Sequence, residues 1–166
     1  DELWYCQVAF DAESAEAEVS AELVWKIFQQ QYFHADEHSD GQSDGPNNGR
    51  YQLRSFNVQS ADSDHLTANL LVDGEPRNLA ATAQGSLQAF VKALSADSCI
   101  DIDVLDYSEH ALGSGVGEQA IAFVHLKCNS QRLVGVAKSS DIIGASMKAV
   151  LSALNASEAA RLQGVA

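Results

Sequence analysis

The sequence predicts an α+β fold in which a unit of three strands and one helix occurs twice. Short runs of alternating apolar residues follow Arg50 and are separated by turn residues, and an amphipathic helical stretch follows the third and the sixth run. The same order of elements recurs over about 51–97 and 100–155. Each unit is expected to cover one face of its sheet with its helix, although a similarity of pattern does not prove duplication.

Charge is distributed unevenly along the 166 residues, whose net charge is -13. Residues 1–50 hold eleven acidic side chains against Lys26 and Arg50, so the later part of the chain is nearly balanced. An acidic surface without a basic stripe argues against nucleic acid and against anionic membranes as partners. The chain is long enough for one packed domain and an accessory segment.

Residues 1–50 are predicted to form an acidic linker and a small helical subdomain with a flexible loop. Ser20 can cap a helix whose apolar face reaches Tyr32, and the polar, turn-rich stretch from His34 leads to Arg50. The acidic and histidine residues of 34–40 suggest a metal site, but without apolar support a solvated loop is the favoured interpretation. Because the chain begins at Asp1, we expect it to be a piece of a longer polypeptide.

Three widely spaced cysteines, Cys6, Cys99 and Cys128, favour neither a disulfide framework nor a zinc site. They fit a reducing compartment, so we expect a cytoplasmic location. No apolar run approaches the roughly 20 residues of a membrane span.

The first unit has predicted strands at Tyr51–Gln59, His65–Val72 and Arg77–Ala83. Its helix is expected to start near Gly85. The side chains that would share its buried face are Leu87, Phe90, Val91 and Leu94.

The second unit has predicted strands at Ile100–Ala111, Gln119–Cys128 and Arg132–Ala137. Its helix is expected to start near Ser139 and to end at about Asn155. Its predicted buried side chains are Ile143, Met147, Val150, Leu151 and Leu154. Small residues on this helix, Gly144, Ala145, Ser146 and Ala149, favour close packing within the chain, and a site for another backbone or a ligand is the alternative. Because small sheets commonly complete their burial by pairing, we expect a homodimer.

A strand, a glycine loop and a second strand occupy Val104 to Val124. Strict alternation would place Val104 and Asp106 on one face and Tyr107 and Glu109 on the other. The glycines of the loop, Gly113, Gly115 and Gly117, favour a long hairpin turn, and contact with a small ligand is the alternative.

Few side chains suggest chemistry, and a self-contained catalytic site is not visible. Alternation separates Asp106 from Glu109, and no phosphate-binding or paired-histidine metal motif is present. The two strand-to-helix junctions, at Gly85–Ser86 and Ser139–Ser140, offer helix N-terminal N–H groups that can bind a carboxylate. Ordinary capping by Ser86, and by Ser140 or Asp141, explains the same residues equally well.

Several stretches resemble the C-terminal regulatory domain of 2-isopropylmalate synthase, most closely that of the bacterial long-form enzymes. They are Val24 to Tyr32, Leu71-Val72-Asp73-Gly74, Ala89 to Leu94, Val104-Leu105-Asp106-Tyr107-Ser108-Glu109-His110-Ala111-Leu112, Gln119 to Val124 and Asp141 to Asn155. The resemblance runs from about Ser20 to Asn155 and makes 51–166 the regulatory domain. The shorter citramalate synthases share this domain.

The resemblance implies a homodimeric domain that binds L-leucine and inhibits a catalytic barrel of the same polypeptide. The parent enzyme would join acetyl-CoA to 2-oxoisovalerate, using a divalent metal held in that barrel. This chain contains neither the barrel nor its metal ligands, so it is expected to need no cofactor and to have no activity by itself. An independent enzyme is the alternative, and turnover of those two substrates by this chain would reveal it.

The resemblance also assigns an effector site residue by residue. The implied residues are Gly85, Val104, Tyr107, Ala111, Ala120 and Ile143. The sequence departs from the family pattern at Ala83, Gln88 and Gly117-Glu118. These departures motivate two alternatives: a purely structural dimerisation module without an effector, and a citramalate synthase domain that senses isoleucine.

Overall fold

The computed structural model describes residues 49–112 and 119–162, which lie within one compact unit spanning Asn47–Ala166. The predicted helix from Ser20, the metal-site alternative at 34–40, Cys6 and the glycine loop all lie outside the described residues. The boundary expected at residue 50 therefore stays a prediction.

The described residues form two antiparallel three-stranded sheets, each followed in the chain by a helix. The elements are β1 Tyr51–Ser60, β2 Asp64–Val72, β3 Glu75–Ala83, α1 Ser86–Ser98, β4 Ile102–Leu112, β5 Gln119–Cys128, β6 Gln131–Ser139 and α2 Ile142–Leu162. Strand order follows the chain in both sheets, β1-β2-β3 and β4-β5-β6. The α+β class and the repeated β-β-β-α order are confirmed.

The main error in the predicted boundaries concerns α2, which continues to Leu162 and does not end near Asn155. The residues after Asn155 are mostly alanine, glutamate, arginine and leucine, which favour helix, and no glycine occurs before Gly164. The start of β4 was also wrong by two residues. Cys99 ends α1 in the left-handed conformation (φ 56°), so strand pairing resumes only at Ile102.

The first sheet has one apolar and one polar face. Leu66, Ala68 and Leu70 of β2 are buried beneath α1, as is Leu79 of β3. The opposite face carries polar pairs between neighbouring strands: Asn69 Nδ2 donates to Ser55 Oγ (2.8 Å), and His65 Nδ1 lies 3.0 Å from Thr82 Oγ1. This alternation is what the period-two pattern of the sequence predicts. The predicted buried face of α1 is also confirmed, because its four residues, Leu87, Phe90, Val91 and Leu94, are all buried.

Helix α2 packs against both sheets and is buried on most of its circumference. A Cβ built on Gly135 of β6 would lie 1.9 Å from the Ala149 carbonyl oxygen and 2.9 Å from Ala153 Cβ, so strand and helix backbones are in direct contact. The small residues of α2 therefore serve close packing within the chain, as favoured from the sequence. Four of the five predicted buried residues are confirmed, namely Met147, Val150, Leu151 and Leu154. Ile143 is 37% exposed, so its predicted burial was wrong.

A β-bulge recurs at the same place in both units. The register of β1 against β2 shifts between Leu53 and Ser55, and that of β4 against β5 shifts between Val104 and Asp106. Each shift follows the third residue of its strand, and an extra residue reverses the alternation of faces beyond it. This shared irregularity makes the two units equivalent in detail and strengthens the inference of duplication.

Asn155 joins the two ends of the described unit. Its Oδ1 accepts a hydrogen bond from the Tyr51 backbone N–H, and its Nδ2 donates to the Tyr51 carbonyl, both at 2.9 Å. Arg50 adds ion pairs to Asp73 (3.1 Å) and to Glu158 (3.5 Å). Burial raises the pKa of the Tyr51 phenol, and the neighbouring Arg50 charge opposes that rise. At the start of β1, the side-chain amide of Asn155 thus hydrogen-bonds the Tyr51 backbone in the way that a second neighbouring strand would.

Replacing Asn155 by alanine is expected to lower the free energy of unfolding by about 1–3 kcal/mol, because two partly buried backbone groups lose their partner. Urea denaturation followed by circular dichroism measures this change. Asn57, which is exposed on β1, provides the control, and Asn57→Ala should leave the midpoint unchanged. Equal midpoints for both variants would show that the Asn155 amide contributes nothing to stability.

Candidate functional site

The bulge in β4 determines which side chains share the face of the second sheet that lies against α2. Val104 pairs with Leu126 and Tyr107 pairs with Val124, both on that face, whereas Asp106 pairs with His125 on the other. Strict alternation had placed Val104 opposite to Tyr107, and this interpretation was wrong because the bulge at Leu105 inserts an unpaired residue.

Three further predicted residues lie on or beside the same face. Ala111 pairs directly with Ala120, which is buried beneath α2. Ile143 is the second residue of α2 and lies one helical turn before Ser146, whose side chain contacts this part of β4. Ala111, Ala120 and Ile143 therefore lie together at one end of this face, and Tyr107 lies four residues from Ala111 along β4. Val104 lies near the other end of the strand, about 20 Å from Ala111. Gly85 belongs to the first unit.

On this face, apolar side chains next to the buried core are exposed to solvent. Tyr107 is 54% exposed and Ile143 is 37% exposed, while Val124, which pairs with Tyr107, and Ala145, which lies near Ile143 on α2, are buried. Large apolar side chains left in water beside a packed core are typical of surfaces that bind a ligand or another protein chain. We refer below to Val104, Tyr107, Glu109, Ala111, Ala120, Ile143 and Ser146 as the open face.

One polar contact crosses the open face. Ser146 of α2 is buried, and its hydroxyl donates a hydrogen bond to Glu109 Oε1 on β4. The same hydroxyl oxygen lies 3.1 Å from the Ile142 carbonyl oxygen. The sequence assigned no role to this pair. The only sequence signal for it is that Glu109 falls between Tyr107 and Ala111 at spacings of two residues, which places all three on one side of a strand.

The two helix N-termini differ. The Gly144 N–H of α2 donates to Asp141 Oδ1 (2.6 Å), and a Cβ at Gly144 would lie 2.6 Å from Asp141 Oδ2. Asp141 is therefore the cap that the sequence left open between Ser140 and Asp141. In α1 the N-cap is Gly85, and no side chain, Ser86 included, makes a capping hydrogen bond. Among the described residues, no atom lies within 4 Å of a Cβ built on Gly85, outside its chain neighbours, so this part of the structure leaves the space in front of these N–H groups open.

Removing the cap of α2 is expected to cost about 1 kcal/mol, so Asp141→Ala should lower the free energy of unfolding by that amount. Asp141→Asn keeps the capping oxygen and serves as the matched control. Thermal unfolding of both variants checks the assignment. If the asparagine variant were destabilised as much as the alanine variant, the contribution would come from the carboxylate charge and not from the cap.

A shallow depression lies mainly on the opposite face of the second sheet. Its volume is about 140 Å³, and it is lined by Asp106, Tyr107, Ser108, Phe123, Val124, His125 and Val134. Ligand pockets are usually about 300–1,000 Å³. Of the predicted site residues, only Tyr107 borders this depression. The position of the depression therefore does not support it as the effector site.

Over the described ranges 49–112 and 119–162, no group of three or more histidine, cysteine, aspartate or glutamate side chains could hold a metal ion. Neither α1 nor α2 has the length and hydropathy needed to cross a membrane.

Two equivalent units, an open apolar face and an uncapped helix start define a domain for binding or association. Comparison with known families makes the class specific, because residues 18–158 match the sequence model of the LeuA allosteric (dimerisation) domain. The chain belongs to this family.

Curated relatives agree with the family assignment. The chain is 36% identical over 140 residues to a 2-isopropylmalate synthase of Arthrobacter sp. (strain FB24), covering 83% of this chain and 23% of the relative. It is 35% identical over 161 residues to that of Leifsonia xyli subsp. xyli, covering 96% of this chain and 26% of the relative. Identity to the Pseudomonas savastanoi pv. phaseolicola protein is 32% over 142 residues, covering 84% and 23%. The chain thus spans about a quarter of the length of these relatives.

Proposed function

We propose that this chain is the leucine-sensing regulatory and dimerisation part of a cytoplasmic 2-isopropylmalate synthase. Its effector would control a catalytic barrel of the same polypeptide that joins acetyl-CoA to 2-oxoisovalerate. The observation that supports the proposal is the open face, which carries five residues implied by the family resemblance, two of them the exposed Tyr107 and Ile143.

The carboxylate of leucine is proposed to bind at the start of α1. Of the two helices that the structure describes, α2 already has the Asp141 carboxylate at its N-terminus, which would repel a second anion. Gly85 leaves the first N–H groups of α1 without a side-chain cap and with open space in front of them. Free N–H groups and the positive end of the helix dipole favour an anion there.

The isobutyl group of leucine is proposed to contact Ala111, Ala120 and Ile143, which adjoin at one end of the open face. Val104 of the same chain lies seven residues earlier on β4, about 20 Å away along the strand, so it does not contact the same isobutyl group. Each buried CH₂ contributes about 0.8 kcal/mol, so valine, which is one methylene shorter, should bind about fourfold more weakly. Because a Cβ at Gly85 has no atom of residues 49–112 or 119–162 within 4 Å beyond its chain neighbours, these residues do not enclose the site, and we propose that a second chain supplies the remaining walls.

Calorimetric titration of the whole chain with leucine, isoleucine and valine tests the effector assignment. Leucine should bind most tightly, with valine about fourfold weaker. A preference for isoleucine would favour the citramalate synthase alternative. If none of the three amino acids binds detectably, the result would favour the structural module and contradict leucine sensing.

The homodimer is proposed to use the second sheet and the glycine loop 113–117. Strand β4 is an edge strand of its sheet, and Leu105, at its bulge, is 47% exposed. Unpaired edges and exposed apolar side chains both favour association with another chain.

Leu105→Glu is expected to weaken dimerisation at least about tenfold, because it places a charge in an apolar contact. Sedimentation at micromolar concentration measures the change, with Ala80→Glu on the polar outer face of the first sheet as the control. The unchanged chain should sediment as a dimer. A monomer under these conditions would contradict an effector site shared between chains.

A further inference from the structure

The two units differ chemically at one pair of equivalent positions. The eighth residue of the first strand is Val58 in β1 and Glu109 in β4, and the fifth residue of the helix is Phe90 in α1 and Ser146 in α2. In the first unit both residues are apolar, Phe90 is fully buried and Val58 packs against the core. In the second unit a carboxylate and a hydroxyl occupy these places and contact each other. The fold itself therefore does not require polar groups here.

The Ser146–Glu109 contact fixes the position of a charged group. Ser146 is only 2% exposed, so its hydroxyl needs a hydrogen-bond partner, and Glu109 accepts a hydrogen bond from it. Glu109 is an exposed residue apart from this contact, and none of the ion pairs formed within the described residues involves it. Glu109 lies between Tyr107 and Ala111 on the open face. An anchored anion thus stands within an otherwise apolar surface, where a cationic group of a ligand could be bound.

We propose that Glu109 binds the α-ammonium group of the amino-acid effector and that Ser146 positions its carboxylate. This inference rests on the proposed function and adds the selectivity of the same site. Leucine and the 2-oxo acid of the same carbon skeleton share a carboxylate and an isobutyl group, and only leucine carries an ammonium group. Glu109 would therefore make the site respond to the amino acid and exclude its oxo acid.

The test compares two ligands that differ only in the ammonium group, leucine and 4-methylpentanoate. Binding to the whole chain is followed by chemical-shift titration, which also measures weak affinities. In the unchanged chain leucine should bind at least about tenfold more tightly than 4-methylpentanoate, as expected for one charge-assisted hydrogen bond. Glu109→Gln should weaken the binding of leucine at least about tenfold. It should leave the affinity for 4-methylpentanoate unchanged or increase it.

Two further variants separate positioning from general stability. The glutamine amide of Glu109→Gln can still accept the Ser146 proton, so thermal unfolding should stay close to that of the unchanged chain. Ser146→Ala should reduce the leucine-to-4-methylpentanoate affinity ratio, a readout that loss of packing alone does not change. Glu75→Gln, an exposed carboxylate at the start of β3, is the matched control and should keep the ratio.

The outcomes distinguish this inference from the proposed function. If leucine binds the unchanged chain and Glu109→Gln keeps full affinity, the role of Glu109 is wrong while leucine sensing stands. If the variant weakens both ligands equally, Glu109 acts only on the fold and the inference is again overturned. If leucine does not bind the unchanged chain, the proposed function fails and this inference fails with it.

Discussion

Replacing Gly85 by valine is expected to abolish leucine binding while leaving the fold and the dimer intact. Gly85 has an extended backbone (φ -167°, ψ 152°) that a β-branched residue adopts without strain, and no atom of the residues described by the structure lies within 4 Å of an added Cβ outside its chain neighbours. The valine side chain would project into the space in front of the α1 N-terminus, where the leucine carboxylate is proposed to bind. Calorimetry with leucine, together with a circular dichroism spectrum, measures both parts of this expectation.

The neighbouring Gln84→Val variant provides the control for Gly85→Val. Gln84 is exposed in the same junction between β3 and α1, so its replacement adds similar apolar surface without filling the helix start. It should keep its leucine affinity. Full affinity in Gly85→Val, with an unchanged spectrum, would show that the carboxylate binds elsewhere.

Gly135→Val is expected to have the largest effect on stability. The first added carbon would lie 1.9 Å from the Ala149 carbonyl oxygen and 2.8 Å from the Ala153 backbone nitrogen, so only a shift of the whole helix could make room. Overpacking of a core costs about 1–3 kcal/mol and sometimes more. Here the displaced element is α2, which contacts both sheets, so we expect a loss of more than about 3 kcal/mol from a total of about 5–15.

Urea denaturation of Gly135→Val checks this expectation, and Gly85→Ala is the matched control. Both variants add a Cβ at a glycine, Gly135 within β6 and Gly85 just after β3, but only at Gly135 do backbone atoms occupy the space that the Cβ needs. The control should unfold at the midpoint of the unchanged chain. A similar midpoint for Gly135→Val would mean that α2 and β6 can separate at little cost.

The fold class was predictable because its signals are local. Alternation of apolar residues marks strands such as β2, and helical spacing marks the buried face of α1, so the β-β-β-α order followed from short stretches of sequence. The helix-favouring residues after Asn155 also mark the longer α2, although the sequence prediction ended the helix too early. The exposure of Ile143 was not predictable in this way, because it depends on which other elements reach the start of the helix.

The arrangement of the open face was less predictable, because a β-bulge leaves no clear mark in the sequence. Counting residues places Val104 and Tyr107 on opposite faces, and only the unpaired Leu105 brings them to the same one. The resemblance had grouped both residues in one site, whereas alternation alone had separated them. The contact between Glu109 and Ser146 joins residues far apart in the chain, and no local pattern predicts such a pair.

The recurrence of the bulge in β1 also bears on stoichiometry. It places Phe56 at the position that corresponds to Tyr107, and Leu87 at that of Ile143, but in the first unit Leu87 is only 8% exposed and Phe56 packs against the core. Apolar side chains are packed into the core at the equivalent surface of the first unit, so the duplicated unit does not provide a second binding site. One chain would then saturate with a single effector molecule, and a two-fold pair of chains with two.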